Sequence, residues 1–174
     1  KGDLILECDS ITFYSKKNKF ESNGNPIIYD LDYKLVADSL IYFTELDSGI
    51  ALGNVELIQN DQKIKADRIE YVKNPGSEAI SYIAIGNVEI IDSLRIATCG
   101  LANYNDITEE TILDREPIII DEQRTIVGEQ IVLQYDKKSL NRILIPNNAK
   151  IFSSTMEFEN IKKDTAHTVF EKND

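Results

Sequence analysis

Ala66-Asp67-Arg68-Ile69-Glu70-Tyr71 repeats the stretch Ala37-Asp38-Ser39-Leu40-Ile41-Tyr42 at an offset of 29 residues (67 − 38). Cys8-Asp9-Ser10-Ile11-Thr12-Phe13 is an earlier copy at the same offset. Weaker copies follow at Thr98-Cys99-Gly100-Leu101 and Gly128-Glu129-Gln130-Ile131, where we align Cys99 and Glu129 with the aspartate. A motif recurring at such a period is typical of repeat proteins, in which each unit buries its apolar face against its neighbours.

A second landmark alternates with the first. Gly53-Asn54-Val55-Glu56-Leu57-Ile58 recurs as Gly86-Asn87-Val88-Glu89-Ile90-Ile91, and Gly24-Asn25-Pro26-Ile27-Ile28 is an earlier copy. Glu116-Pro117-Ile118-Ile119-Ile120 and Asn148-Ala149-Lys150-Ile151 are degenerate later copies. Together the two landmarks predict about five units of roughly 30 residues each.

Each unit has the pattern of β-strands. Residues 80–85 and 88–91 are rich in isoleucine and valine and partly alternate between apolar and polar, as half-buried strands do. The parity of the apolar positions changes between Ala66 and Ile69, which predicts a β-bulge or bend near Asp67. We expect the aspartate there to cap a turn by accepting hydrogen bonds from nearby backbone N–H groups.

Turn residues separate the strands at Asp47-Ser48-Gly49, Asn60-Asp61-Gln62 and Asn74-Pro75-Gly76-Ser77, where we expect hairpin connections. The predicted fold class is therefore all-β. We expect an elongated, twisted stack of antiparallel strands in two facing sheets with a V-shaped apolar interior. Residues 1–158 are predicted to form one domain, followed by a frayed or disordered polar tail over 159–174.

Composition excludes some functions. The chain of 174 residues carries a formal net charge of −11, so it lacks the overall basic footprint that nucleic-acid binding requires. No stretch approaches the roughly 18–20 apolar residues of a membrane helix. Cys8 and Cys99 are the only cysteines, and their separation in the repeat register predicts that both are free and packed.

The alternation of an Ala-Asp-x-Ile-x-Tyr element with a Gly-Asn-Val element resembles the repeat of the lipopolysaccharide-transport periplasmic family, the LptA or OstA-type β-jellyroll. Both landmarks are complete twice over residues 36–96, and a looser match covers 4–152. The fourth and fifth units depart from the pattern, because both lose the Gly-Asn pair and the fourth has Thr98-Cys99 for Ala-Asp.

The resemblance implies a protein that binds lipopolysaccharide in the Gram-negative periplasm, its signal peptide removed, for outer-membrane biogenesis. Its acyl-chain path would be the jellyroll interior. Its partners would be the lipid A acyl chains and the related jellyroll domains of inner- and outer-membrane transport subunits, joined head to tail, with a head-to-tail homo-oligomer also implied. Three members share the domain: the bridging protein and the periplasmic parts of the two membrane subunits. The lack of a membrane anchor favours the bridging protein or an excised domain.

On this resemblance the lipid-binding interior is assigned to apolar residues of successive units. These are Leu40, Tyr42, Val55, Leu57, Ile64, Ala66, Ile69, Tyr71, Val88, Ile90, Ile118 and Ile120. Burying acyl chains there would contribute roughly 0.8 kcal/mol for each CH₂ group. Because lipopolysaccharide head groups are anionic and the chain is acidic, we expect recognition of the lipid tails with few phosphate contacts.

End strands are the expected partner surface, because their unpaired backbone groups recruit further strands. We assign residues 4–13 and 149–158 to the two ends. The partner residues predicted there are Leu4, Leu6, Ile11, Phe13, Ile151, Phe152, Met156 and Phe158.

Other functions are less well supported by the residues. We expect no catalytic residue, metal or cofactor: His167 lies in the polar tail, and Asp9, Asp38 and Asp67 are too sparse for a calcium ladder. The basic residues Lys63, Lys65 and Arg68 are interpreted as a solvated strand face. Two alternatives stay open: a structural or assembly module that docks through its edge strands without lipid, and a polysaccharide-acting enzyme with two facing carboxylates.

Overall fold

The structure, a computed structural model, describes residues 5–29, 33–59, 62–73, 80–136 and 139–153. Within these ranges the chain is all-β, apart from a 3₁₀ turn at Ser15–Lys17, and every strand pair is antiparallel. The predicted fold class is confirmed. In the described part of the chain, no helix has the length and apolar character needed to cross a membrane.

Sixteen strands in the described ranges form one continuous hydrogen-bonded sheet. Their bounds are β1 Ile5–Glu7, β2 Ser10–Tyr14, β3 Lys19–Asn23, β4 Ile27–Tyr29, β5 Tyr33–Val36, β6 Ser39–Phe43, β7 Ser48–Gln59, β8 Gln62–Lys73, β9 Ile80–Ile91, β10 Arg95–Asn105, β11 Glu110–Asp114, β12 Ile118–Asp121, β13 Arg124–Val127, β14 Gln130–Asp136, β15 Ser139–Leu144 and β16 Lys150–Ser153.

The sheet divides into two layers joined by its four long strands. The first layer contains β1, β4, β5, β12, β13 and β16, and the second contains β2, β3, β6, β11, β14 and β15. Each of β7 to β10 crosses from one layer to the other. For example, residues 48–52 of β7 pair with β6 in the second layer, whereas residues 56–59 pair with β5 in the first.

The crossing point is marked by an irregularity in every long strand. Leu52 pairs with Arg68 and Val55 pairs with Ala66, so that two residues of β7 lie opposite Asp67 alone. Register shifts at the corresponding places of β8–β9 and β9–β10 continue the irregularity. The bulge predicted from the change of parity near Asp67 is confirmed, and it bends the strand as bulges do.

The two landmarks meet at these bends. The Asn54 amide donates to Asp38 Oδ2 over 3.0 Å, and the Asn87 amide donates to Asp67 Oδ2 over 2.9 Å. Each aspartate thus accepts from the asparagine side chain of the next unit, whereas the sequence predicted backbone donors. Gly53 and Gly86 have φ of +73° and +75°, and a Cβ on either would lie 2.3 Å from the facing carboxylate oxygen.

We call this line of bends the seam. Its members are the residues at the acid position, namely Asp9, Asp38, Asp67, Gly100 and Glu129, and the positive-φ residues that face them, namely Gly24, Asn25, Gly53, Asn54, Gly86, Asn87, Arg115, Glu116 and Asn148. The seam runs across the strands and joins the two layers along one edge.

The fourth unit corrects our alignment. The residue in the acid position is Gly100, not Cys99, since the Gly100 N–H donates to the Arg115 carbonyl over 2.9 Å, as the Asp38 N–H does to Gly53. Arg115 and Glu116, both at φ +62°, take the place of Gly-Asn. The arrangement is the reverse of that at Asp67 and Gly86, because the acid position has no side chain and the facing position carries one. A Cβ on Gly100 would lie 2.8 Å from the Cβ of Arg115, which is too close for both to be present.

One predicted turn lies elsewhere in the structure, and the predicted tail lies beyond the described residues. The connection predicted at Asp47-Ser48-Gly49 lies earlier, at residues 44–47, because Ser48 and Gly49 already pair with β6. The tail assigned to residues 159–174 lies outside the described residues, as do the predicted turn residues Asn60, Asp61 and 74–77. Both cysteines are free, as predicted, with Cys99 buried and Cys8 half-buried.

Candidate functional site

The inner faces of the two layers enclose the core of the protein, and we call the space between them the trough. In the second layer the positions nearest the seam form one row across the strands, each at most 1% exposed. This deep row is Ser22, Leu40, Ala51, Ile69, Ala84, Ala102, Leu113 and Ile131. It runs almost the whole length of the stack and is apolar except for Ser22.

The first layer offers a matching apolar face. One row there consists of Ile28, Leu35, Leu57, Ile64, Ile90, Ala97, Ile119 and Ile126. All of these residues are buried and belong to the same hydrophobic cluster as the deep row. The two inner faces therefore pack against each other and keep water away from the trough.

Farther from the seam, the inner face of the second layer changes to aromatic residues. The members of this tyrosine row are Phe20, Tyr42, Gly49, Tyr71, Tyr82 and Tyr104, and Thr111 and Leu133 continue it. The rings of Phe20 and Tyr42 stack with centroids 5.0 Å apart, and those of Tyr82 and Tyr104 stack at 4.8 Å. Such contacts hold the rings in fixed orientations.

Two hydroxyl groups of the tyrosine row have carboxylate partners. The Tyr42 hydroxyl donates to Asp47 Oδ1 over 2.6 Å, and the Tyr104 hydroxyl donates to Asp106 Oδ1 over 2.7 Å. Burial, reinforced by these aspartates, raises the pKa of both hydroxyls. The pKa values of Tyr71 and Tyr82 are raised as well, with burial as the largest cause.

These raised pKa values predict a loss of stability in alkali. Unfolded tyrosines ionise at about pH 10, whereas the buried ones keep their protons at that pH. The contribution of these tyrosines to the free energy of unfolding is therefore complete below about pH 10 and falls as the pH rises further. Urea denaturation across this range should show the loss, and Tyr71→Phe should make it shallower. Tyrosinate absorbance that titrates fully near pH 10 in the folded protein would contradict the prediction.

The predicted lipid-binding residues can now be placed. Those on the inner faces and buried are Leu40, Val55, Leu57, Ile64, Ala66, Ile69, Val88 and Ile90, while Tyr42 and Tyr71 lie half-buried in the tyrosine row. The structure brings these ten residues together around the trough. Cys99, which was not predicted there, lies beside Val88 on the same face, and burial raises the pKa of its thiol to about 11.

Ile118 and Ile120 were predicted to face the interior, but both point away from it. The residue that is buried in the first-layer row is Ile119, at 2% exposed, and its two neighbours point to the other face of the strand. The error came from aligning Glu116-Pro117 with Gly-Asn. Because Arg115-Glu116 occupy those positions, Ile119 is the counterpart of Leu57.

Both ends of the trough are uncovered within the described ranges. At one end β1 and β2 each have a single strand neighbour, and at the other end β15 and β16 do. The predicted end strand over residues 4–13 is thus two strands, one in each layer, and β15 is an edge that we did not predict. Leu4, Met156 and Phe158 lie outside the described residues.

The end residues continue the inner rows. Ile11 pairs with Ser22 of the deep row, and Phe13 pairs with Phe20 of the tyrosine row. They are 56% and 61% exposed, because among the described residues β2 has β3 as its single strand neighbour. At the opposite end Ile151 pairs with Ile126 and is 48% exposed. Leu6 and Phe152 are half-buried beside Ile28 and Thr125, respectively.

The basic residues noted in the sequence lie on the outer faces and are paired with carboxylates. The Lys63 and Lys65 ammonium groups pair with Glu56 and Glu89 over 2.9 and 2.8 Å. The Arg68 guanidinium pairs with Glu70 over 2.7 Å. The basic cluster noted in the sequence is therefore matched by carboxylates, which leaves little net positive charge for an anionic ligand. In the described part of the chain, no group of His, Cys, Asp and Glu could hold a metal ion.

Residues 34–139 match the family described as "LptA/(LptD N-terminal domain) LPS transport protein". No curated protein matches the chain. Among solved structures, one similar protein is LptH from Pseudomonas aeruginosa, described as the LptA homologous periplasmic component of the lipopolysaccharide transport device. It is 11% identical over 86% of this chain and 94% of that one, with a TM-score of 0.31.

Proposed function

Because the chain belongs to the family of LptA and LptD N-terminal lipopolysaccharide transport proteins, we propose that it holds lipopolysaccharide acyl chains in the trough and passes them along the stack in the periplasm. In this proposal residues 1–158 act as one domain. The observation that carries it is the continuity of the inner rows, which are largely apolar along the stack and uncovered at Phe13 and Ile151.

The layers must part for a chain to enter. Ile64, Ile69 and Val55 are 0–1% exposed, so an acyl chain reaches them only when the edge opposite the seam opens. The bends at the seam are held by paired side chains, so the seam stays intact and serves as the hinge about which the layers part. Entry replaces contacts between the layers with contacts to the acyl chain, which exchanges one apolar surface for another. Such contacts have no preferred direction, so the lipid is retained and still slides.

The head group would stay outside the trough. A net charge of −11 opposes anionic sugars and phosphates, and Lys63, Lys65 and Arg68 of the outer faces are already paired with glutamates. Recognition therefore rests on the hydrocarbon tails, where each buried CH₂ contributes roughly 0.8 kcal/mol.

The ends would join related domains head to tail. In the first layer the strands alternate in direction from β1 to β16, and in the second from β2 to β15, because every neighbouring pair is antiparallel. Each layer contains an even number of segments, so its first and last strands run in opposite directions. A second domain placed in the same orientation therefore meets β15 and β16 with β2 and β1 as antiparallel partners, which extends both layers and the trough.

Photo-crosslinking tests the location of the lipid. A photo-reactive phenylalanine at Tyr71 or Tyr82 should capture lipopolysaccharide, because these rings face the trough. The matched controls are Val72 and Ile83, the next residues on the same strands, which face outward and are 43% and 37% exposed. We expect at least tenfold more adduct at the inward positions. Equal or greater capture at Val72 and Ile83 would contradict the proposal.

A second candidate is an assembly module that joins domains through the same ends without carrying lipid. It is favoured by the close packing of the inner faces, which leaves the residues of both apolar rows buried. The crosslinking experiment separates the two, since an assembly module gives no lipid adduct at Tyr71 or Tyr82.

A further inference from the structure

One hydroxyl in the tyrosine row has no partner. Tyr71 Oη is buried, and it makes no hydrogen bond within the described part of the chain. A buried hydroxyl that makes no hydrogen bond loses its hydration without compensation, which costs free energy. Native proteins therefore contain few such groups. Two other tyrosines of the row differ, because the hydroxyls of Tyr42 and Tyr104 donate to Asp47 and Asp106, respectively.

The position of the Tyr71 ring depends on Gly49. A Cβ on Gly49 would lie 2.3 Å from Tyr71 Cε1 and 2.7 Å from Tyr71 Oη. Only glycine at this place of β7 admits the ring, which therefore lies over the neighbouring strand within the inner face. The hydroxyl is held in the second layer at a fixed depth in the trough.

At the depth of the Tyr71 hydroxyl, the side chains that line the trough change from aliphatic to aromatic. On the seam side of Tyr71, the deep row presents Ala51, Ile69 and Ala84, which offer no polar side-chain group to a ligand. In the row itself the lining becomes aromatic with hydroxyl groups, a composition suited to the junction between hydrocarbon and polar surroundings. A ligand whose chain fills the deep row places the first polar atoms of that chain beside the tyrosines.

We propose that Tyr71 Oη donates a hydrogen bond to the carbonyl oxygen of an ester- or amide-linked acyl chain, so that the trough selects acyl lipids by this bond as well as by their hydrocarbon. The inference rests on the proposed function. A carbonyl group directly adjoins the hydrocarbon in such lipids and is a strong acceptor without a charge. A neutral donor suits it, and burial keeps the Tyr71 pKa high enough for the hydroxyl to remain protonated.

Two probes that differ in the carbonyl test the proposal: glucose monolaurate ester and dodecyl glucoside. Their affinities are measured by titration calorimetry for the full chain and for Tyr71→Phe. We expect Tyr71→Phe to bind the ester about 3- to 10-fold more weakly, the range for one hydrogen bond, and to bind the glucoside unchanged. Tyr104→Phe, whose hydroxyl bonds Asp106, is the matched control and should not change the preference.

The outcomes are distinguishable. An equal loss for both probes, or no loss for the ester, would overturn the role of Tyr71 while leaving the lipid-carrier function intact. A wild-type chain that binds neither probe would overturn the proposed function itself. Misfolding is checked by denaturation: without lipid, Tyr71→Phe should have a midpoint equal to or above that of the wild type, because it removes an unpartnered buried hydroxyl.

Discussion

Replacing Gly86 with alanine is expected to lower the free energy of unfolding by about 3 kcal/mol, from left-handed backbone strain and overpacking together. Gly86 has a φ of +75°, and a Cβ there would lie 2.3 Å from Asp67 Oδ2. The substitution acts at the seam, where the bends of β8 and β9 bring the two landmarks into close contact. Urea denaturation followed by circular dichroism measures the loss.

The chain itself indicates the compensating change. At Gly100 and Arg115 the side chain is on the opposite partner, and the positive-φ position carries an arginine. Asp67→Gly combined with Gly86→Ala should therefore be more stable than Gly86→Ala alone, although it contains one more substitution. A double variant as unstable as the sum of the two single changes would show that the contact does not control the bend.

Phe13→Asp is expected to weaken end-to-end association at least about 100-fold, because it places a charge in an apolar contact. The side chain is 61% exposed in the single chain and continues the tyrosine row at its uncovered end, so folding should be little affected. Sedimentation over a concentration series measures the association.

Leu46→Asp is the matched control for this change. Leu46 is 66% exposed in the turn that precedes β7 and does not belong to an end strand. It should leave association unchanged. If Leu46→Asp weakens association as much as Phe13→Asp, the effect is one of overall charge. A wild-type chain that stays monomeric at every concentration would contradict self-association through the ends.

The seam shows why the fold could be predicted from the sequence. The acid and Gly-Asn landmarks are local signals of strained backbone, and they recur once in each unit, so their period revealed the stack. Whether a side chain points inward or outward then follows from the number of residues that separate it from the landmark. Leu57, Ile90 and Ile119 occupy the same place after the positive-φ pair, whereas Ile118 and Ile120 were assigned inward because the pair was misplaced by one residue.

The tyrosine row was only partly found, although its signal was present. Phe13, Tyr42, Tyr71 and Tyr104 each follow a residue at the acid position of the seam by four places, and Phe20 and Tyr82 precede the seam glycines by four. Without the pairing register, nothing linked positions after one landmark to positions before the other. The antiparallel bend brings both sets into one row.

The state of the trough could not be predicted. Whether Ile64 and Ile69 contact the opposite layer or a ligand depends on the distance between the layers, and alternation along a strand gives only the face. The edge position of β15 could not be predicted either, because it depends on the strands that pair with β15 and not on its own residues. The orphan Tyr71 hydroxyl is likewise a property of the folded arrangement alone.

The central claim is that acyl chains lie between the two layers, which part opposite the seam. Pulsed electron paramagnetic resonance tests it most directly, with spin labels at the outward positions Ile96 of the first layer and Ile83 of the second, in a chain without its native cysteines. A pair within the second layer, Thr12 and Ile83, is the control. The account predicts that saturating lipopolysaccharide lengthens the Ile96–Ile83 distance from its value for closed layers, which pack roughly 10 Å apart, and leaves the control pair unchanged. An unchanged Ile96–Ile83 distance with lipopolysaccharide bound would contradict it.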